Sequence, residues 1–252
     1  MSYINQIRIL SFWVFLLPIL AINISLYISV NWWQLCNDLS PLIISEDTCK
    51  NTIRSAIGFS FPYFDGRVSI SRTARVFPSY FLFKPLMIIT ALLLIKYWLN
   101  NFNLMNKIES NNKIKFFFRF FGISSAIFLI IHSIFLGVKI DNEFYKLFRR
   151  FVVLFFIIFE LVAQTLLVLN LYKFKKLIKN LFFDVVLKLK IFLVIFLSLV
   201  ATLSTPIVIA SGNREFKHLL EWNFFSAVCL FYLITYFFWK KNKPSVHTPE
   251  GV

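Results

Sequence analysis

The sequence predicts an all-α fold: a polytopic membrane helix bundle of six transmembrane helices, both termini cytoplasmic, with one long exoplasmic loop between helices 1 and 2. Three observations predict it. The chain is 58% hydrophobic with 33 phenylalanines and has a mean hydropathy of +0.72, well above the roughly 45–50% apolar content of water-soluble domains. Its apolar residues are gathered into six runs, each close to the length of about 20 residues at which a helix crosses the hydrocarbon core. Lysine-rich connections alternate with lysine-poor ones, the bias that orients membrane helices.

Six spans account for the 252 residues as a single membrane domain, 1–252, and leave no room for a soluble catalytic domain. A net charge of +15 would suit nucleic acid, but the basic residues flank apolar runs rather than lining a polar face or a nucleic-acid motif. No nucleic-acid partner is expected. The cations are expected to meet anionic lipid and to set topology.

Span 1 covers about 9–30. Arg8 precedes it as a cation precedes a signal peptide, yet the run is longer than a signal's apolar region and lacks a small-x-small cleavage site, so an uncleaved span is predicted. Trp32 and Trp33 follow as interface anchors would. The exoplasmic loop, 31–81, is the one long polar and aromatic interval. Cys36 and Cys49 share it; in an oxidising lumen they would pair as a disulfide, with two free thiols as the alternative. Cys229 lies alone in the last span.

Spans at about 82–99, 116–138, 148–171, 191–210 and 219–239 follow. The connections 100–115 and 172–190 carry Lys107, Lys113 and Lys115, then Lys173, Lys175, Lys176, Lys179, Lys188 and Lys190, and the tail opens with Lys240, Lys241 and Lys243. By the positive-inside rule these segments are cytoplasmic.

Strongly polar residues at membrane depth are functional suspects by default. Glu160, near the middle of span 4, shares an inward face with Gln164 and Arg149. It reads either as a group that glues helices or as one with a lipid-headgroup or proton role. His132 in span 3, two turns from Ser125, is predicted to lie near the depth of Glu160. The two are candidate catalytic residues, since a His–Glu pair forms an acid/base unit; a helix-bridging hydrogen bond is the alternative for His132. Ser198, Thr202 and Thr205 line one face of span 5, where Pro206 is expected to kink the helix, and packing chemistry is expected there. Trp222 is expected to anchor at the interface and Glu221 to be solvated. No metal-ligand spacing, nucleophile elbow or phosphate loop is present, and the histidines are His132, His218 and His247. No metal and no cofactor is expected.

Arg67, Arg72 and Arg75 alternate with Ser69, Ser71 and Thr73 just before span 2, at the level of lipid headgroups. Guanidinium groups hold phosphates bidentately and hydroxyls add donors, so this stretch is a candidate lipid-phosphate site. Pairing of the arginines with Asp65, Asp141, Glu143 and Glu221 is the competing reading.

The order of several short words resembles a known family. Cys49 is followed by Ser55-Ala56-Ile57-Gly58, Pro62 and the arginine-bearing stretch before span 2; Ile140 to Glu143 forms an acidic turn into span 4; Leu220-Glu221-Trp222 opens the last span. In this the chain is similar to the six-span FRAG/DRAM/SFK-type family, which includes the damage-regulated autophagy modulators, and most of all to its GPI-lipid remodelling branch. Thr52-Ile53-Arg54 and Asp141 depart from the family pattern. The resemblance implies a multi-pass protein of the Golgi or ER membrane that takes part in fatty-acid remodelling of GPI anchors, the reacylation of the lyso-form, as catalyst or essential subunit. Its partner would be a GPI lipid or lysophospholipid. The autophagy-modulator branch implies instead a lysosomal or plasma-membrane regulator whose loop docks a protein partner. A small transporter coupled through Glu160 is a third class.

Overall fold

The computed structural model describes residues 3–39, 60–75, 77–109, 113–138, 142–209 and 212–240. In order these form α1 (Tyr3–Leu39), α2 (Ile70–Thr73), α3 (Ser79–Ile108), α4 (Ile114–Phe135), α5 (Glu143–Lys173), α6 (Lys175–Ile178) with a 3-10 turn at Lys179–Leu181, α7 (Asp184–Ile209) and α8 (Arg214–Phe238). Six of them, α1, α3, α4, α5, α7 and α8, are long and apolar enough to cross a membrane. The chain is an integral multi-pass membrane protein.

The helices overrun the apolar runs that announce them. Hydropathy marks only the lipid-solvating part of a helix, whereas helical hydrogen bonding continues through polar residues such as Asn100 and Asn101 of α3 until a breaker or cap intervenes. So α1 runs on through Trp32 to Leu39, and the start of the stretch expected to be loop is helical. Trp32 corrects a second expectation: it is buried against Ile28, Leu35 and Phe77 rather than standing at an interface. Lys115 and Lys190, expected in basic connections, lie inside α4 and α7 and are 1% and 0% exposed.

The membrane helices close a ring. Contacts run from α1 to α3, α4, α5, α7, α8 and back to α1. Its interior is filled by large side chains, among them Tyr97, Trp98, Phe118 and Phe231. The α3–α4 approach depends on Gly122, where a Cβ would stand 2.3 Å from the Trp98 ring. Helix α7 is the outlier of the ring, with Phe192, Ile195, Phe196, Leu199 and Leu203 exposed on its outer side. Its hydroxyls bond within the helix. Ser198, Thr202 and Thr205 donate to carbonyls of Val194, Ser198 and Ala201 in α7 itself.

One end of the ring gathers the first and last described residues: Arg8 Nε donates to the Tyr236 carbonyl at 3.3 Å, Lys107 lies over the Tyr3 ring, and Phe182 bridges to Trp239. Residues 60–75 lie across the other end, contacting α1 and α8.

Candidate functional site

The segment 60–75 is shaped from within before it is clamped from without. The Asp65 carboxylate accepts from the backbone N–H of Phe61 at 2.8 Å and of Arg67 at 3.0 Å and from the Ser60 hydroxyl at 3.1 Å. Burial raises the Asp65 carboxyl, but the N–H groups of Arg67 and Phe61, the Ser60 hydroxyl and the Arg67 charge together outweigh it, so it titrates below its ordinary range. Gly66 follows with φ +59°, and a Cβ there would stand 1.9 Å from the Glu215 carbonyl oxygen. Only glycine fits this contact.

Helix α8 then holds the segment with four side chains. His218 Nδ1 lies 3.0 Å from the Gly66 carbonyl oxygen, Trp222 Nε1 donates to Val68 O at 2.8 Å, and Asn223 Nδ2 donates to Tyr63 O at 2.9 Å. Glu221 accepts from the backbone N–H groups of Ser71 and Ile70. From α1, Ser29 donates to Thr73 O at 2.9 Å. Trp222 is fully buried and Glu221 half-buried, so the expected interface anchor and solvated carboxylate are instead the clamp on this segment. Pro62, within the segment, is buried.

The three arginines of the candidate phosphate site divide. Arg67 is exposed and lies 4.0 Å from Asp65, on the α8 side. Arg72 is exposed on α2. Arg75 donates from Nε to Ser71 O at 2.8 Å and lies beside Gly137 at the end of α4. Burial first, then the Arg149 charge, hold the Arg75 guanidinium below its ordinary range; Arg72 adds to this and Glu221 opposes it.

Arg149 lies within electrostatic reach of Arg75. It shares a face with Glu160, but eleven residues of α5 is about 16 Å at a rise of ~1.5 Å per residue. Instead it lines a cleft between α4 and α5 with Ile131, His132, Phe135, Phe148 and Val152. Its Nε is buried without a hydrogen-bond partner, and its guanidinium stands 6.0 Å from the Tyr145 ring centroid. His132 lies within electrostatic reach of Arg149 and Arg75. The last α4 carbonyls are capped by Lys84 on Ile134 O at 3.3 Å and Tyr145 on Phe135 O at 2.8 Å.

The interior carboxyl is a different kind of site. Glu160 Oε2 is 2.6 Å from Ser125 Oγ of α4, Oε1 accepts from Gln164 Nε2 at 3.0 Å, and the Tyr232 hydroxyl of α8 donates to Oε1. Gln164 also donates to Val228 O at 3.3 Å. The Trp98 indole of α3 faces the carboxyl, outside hydrogen-bond geometry. The apolar recess beside it, bordered by Pro18, Met87, Thr90, Phe225 and Cys229, leaves about 20 Å³ for water centres, enough for one water molecule. Glu160 therefore joins α4, α5 and α8 through neutral partners. The expected His132–Glu160 unit is not formed: His132 lies two turns past Ser125 in α4, about 10 Å further along the helix axis, in the cleft with Arg149.

Tyr232 and Lys190 were not anticipated. Tyr232 is one aromatic among many in an apolar run and carries no signal. Lys190 did carry one, since Leu187, Lys190, Val194 and Leu197 share a helical face and all are buried. Its ammonium donates to Thr235 Oγ1 at 2.6 Å and stands 3.9 Å from the Phe231 ring centroid.

Glu143 is exposed in the first turn of α5, a favourable place for a carboxylate, after Asn142, which caps the Phe144 N–H at 2.9 Å. Cys49, Ser55, Ala56, Ile57, Gly58 and Asp141 lie outside the described residues, as does the Cys36 side chain, so the Cys36–Cys49 pairing lies outside them too. Cys229 is a buried free thiol. Among the described residues no group of three or more His, Cys, Asp or Glu converges as metal ligands would. Compared with protein-family models, with characterised proteins and with solved structures, the chain matches none.

Proposed function

We propose that this protein acts on phosphate-bearing membrane lipid, and specifically that it takes part in fatty-acid remodelling of GPI-anchor lipids, reacylating the lyso-form as catalyst or essential subunit. The observation that carries the lipid part is the excess of cation at the 60–75 end. Arg75 lies within electrostatic reach of Arg72, Arg149 and Glu221, and His132 within reach of Arg149 and Arg75, while Glu221 accepts from two backbone N–H groups. Arg72 and Arg75 are exposed, and Arg149 is half-buried with its Nε unpartnered among the described residues; guanidinium donors so placed favour an anion of matching geometry, and phosphate is that anion at a membrane surface.

The GPI part rests on the order of words around Ser55 to Gly58, Glu143 and Glu221. The lysine bias supports a cytoplasmic termini end and an exoplasmic 60–75 end, the face on which GPI lipids reside. A Golgi or ER membrane follows from the same resemblance. The test is lipid mass spectrometry of GPI-anchored proteins from cells lacking this protein. Accumulation and shedding of the lyso-form is expected; an unchanged lipid composition overturns the reading.

A further inference from the structure

The cleft at His132 and Arg149 does not end there. On α4, Phe121, Phe128, His132 and Phe135 recur at helical spacing on one face; on α5, Phe148, Val152, Phe155 and Phe159 do the same. The two rows meet along one seam. Phe135 packs edge-on to Phe148 at 5.6 Å, Phe128 stacks on Phe155 at 5.4 Å, and Phe128 and Phe121 meet Phe159 at 5.6 and 5.3 Å. Phe151 and Phe155 remain open on its outer side. From Arg149 to Phe159 is ten residues, or about 15 Å of helix, about one leaflet of a ~30 Å hydrocarbon core.

Apolar surface alone selects nothing in a bilayer, and the outer face of α7 shows it. That face is as rich in phenylalanine and leucine, and the cation at its end, Lys188, is exposed one turn before Phe192, with no buried donor of α7 left unpartnered among the described residues. The α4–α5 seam differs by its mouth. There Arg149 has a buried Nε without a partner, His132 faces the same cleft, and Arg75 lies beside Gly137 at the end of α4. A long apolar seam with partly desolvated donors at one end matches an amphiphile with an anionic head.

We infer that the α4–α5 seam binds an anionic phospholipid entering sideways from the bilayer, its phosphate held by Arg149, His132 and Arg75 and one acyl chain laid along Phe128, Phe155 and Phe159. This rests on the lipid-phosphate reading above and moves its centre away from Arg67.

The experiment uses the full chain in phosphatidylcholine nanodiscs with a lysophosphatidic acid carrying a diazirine near the end of its acyl chain. After irradiation, label is expected on peptides covering 120–130 of α4 and 152–160 of α5. The double variant Arg149→Gln, His132→Gln is expected to lower labelling about tenfold, the scale of a lost charged hydrogen bond, while Arg67→Gln leaves it unchanged. Label concentrated on α7, or unaltered in the double variant, overturns the inference. Should the double variant fail to fold, competition on the unaltered protein decides: excess phosphatidic acid must displace the label and excess phosphatidylglycerol must compete better than phosphatidylcholine, and equal competition by all three overturns the site. Failure of the remodelling proposal reads out elsewhere, as normal GPI lipids in cells lacking the protein, and leaves the labelling result to judge the seam by itself.

Discussion

Glu160 and Arg149 lie three turns apart on α5 and have met opposite fates. Glu160 is surrounded by groups that fit it, a serine, an amide and a phenol from three helices. Arg149 has a buried nitrogen that nothing in the described chain satisfies and a like charge nearby in Arg75. A buried polar group whose bonds are complete contributes to structure, because any ligand would have to displace good partners. A charged donor left over at a cleft leaves a bond that a ligand can make. On the inference above the difference separates a clasp from a receptor, although both are ionisable residues on one face of α5 and would score alike in sequence.

Substitutions at four positions would break or sharpen that contrast. Glu160→Ala leaves three buried donors facing a void, at about 1–3 kcal/mol for each unsatisfied group; thermal unfolding in detergent is expected to show a loss of about 3 kcal/mol, with Glu160→Gln costing less than half of that. If the two variants melt together, the clasp reading fails. Gly66→Ala forces a Cβ onto the Glu215 carbonyl at a positive φ, for about 2 kcal/mol of strain. Protease cleavage within 60–75 should accelerate markedly, while helices remain intact by circular dichroism.

Glu221→Gln removes the carboxylate that competes at Arg75 and keeps a carbonyl for the Ser71 and Ile70 N–H groups. The half-buried charge is screened, so the expected gain in labelling by the anionic lipid probe is modest in size, about two- to fivefold; a loss of labelling would place Glu221 among the binding groups. The smallest effect belongs to Asp65. Its folded carboxyl titrates below the unfolded one, so its contribution is present at neutral pH, is retained above the ordinary carboxylate value and is lost as pH falls through the lowered folded value. Cleavage of 60–75 by an acid-tolerant protease should therefore rise only below about pH 4, and in Asp65→Asn, which loses about 1 kcal/mol, it should already be raised at neutral pH.

The spans were legible because hydropathy alone decides whether a helix can enter lipid, and six runs gave six helices. Their ends were not, because polar residues such as Asn100 continue a helix without changing its hydropathy signal. Glu160 stood out as a carboxylate in an apolar run, and Gln164 one turn away was visible as its partner. Tyr232 was not, since it comes 72 residues after Glu160 and resembles every other aromatic in α8 until the ring order is known. The clamp on 60–75 was hidden for another reason. His218, Trp222 and Asn223 bond to backbone carbonyls, and every residue has one, so no side-chain type in the loop marks it as their target.

The closure of the ring through α1 and α8 has a consequence for how the protein is made. Residues 60–75 find Trp222, Glu221 and Asn223, and Arg8 of α1 finds Tyr236, in α8, more than 140 residues later. At roughly 5–20 residues per second of synthesis, α1 waits on the order of ten to forty seconds in the membrane before its second neighbour emerges. Until then α1 has α3 as its one long neighbour in the ring, and the 60–75 segment lacks its clamp from α8. Quality control of this protein thus has a natural checkpoint: the chain is sealed, and its polar end ordered, by the arrival of α8.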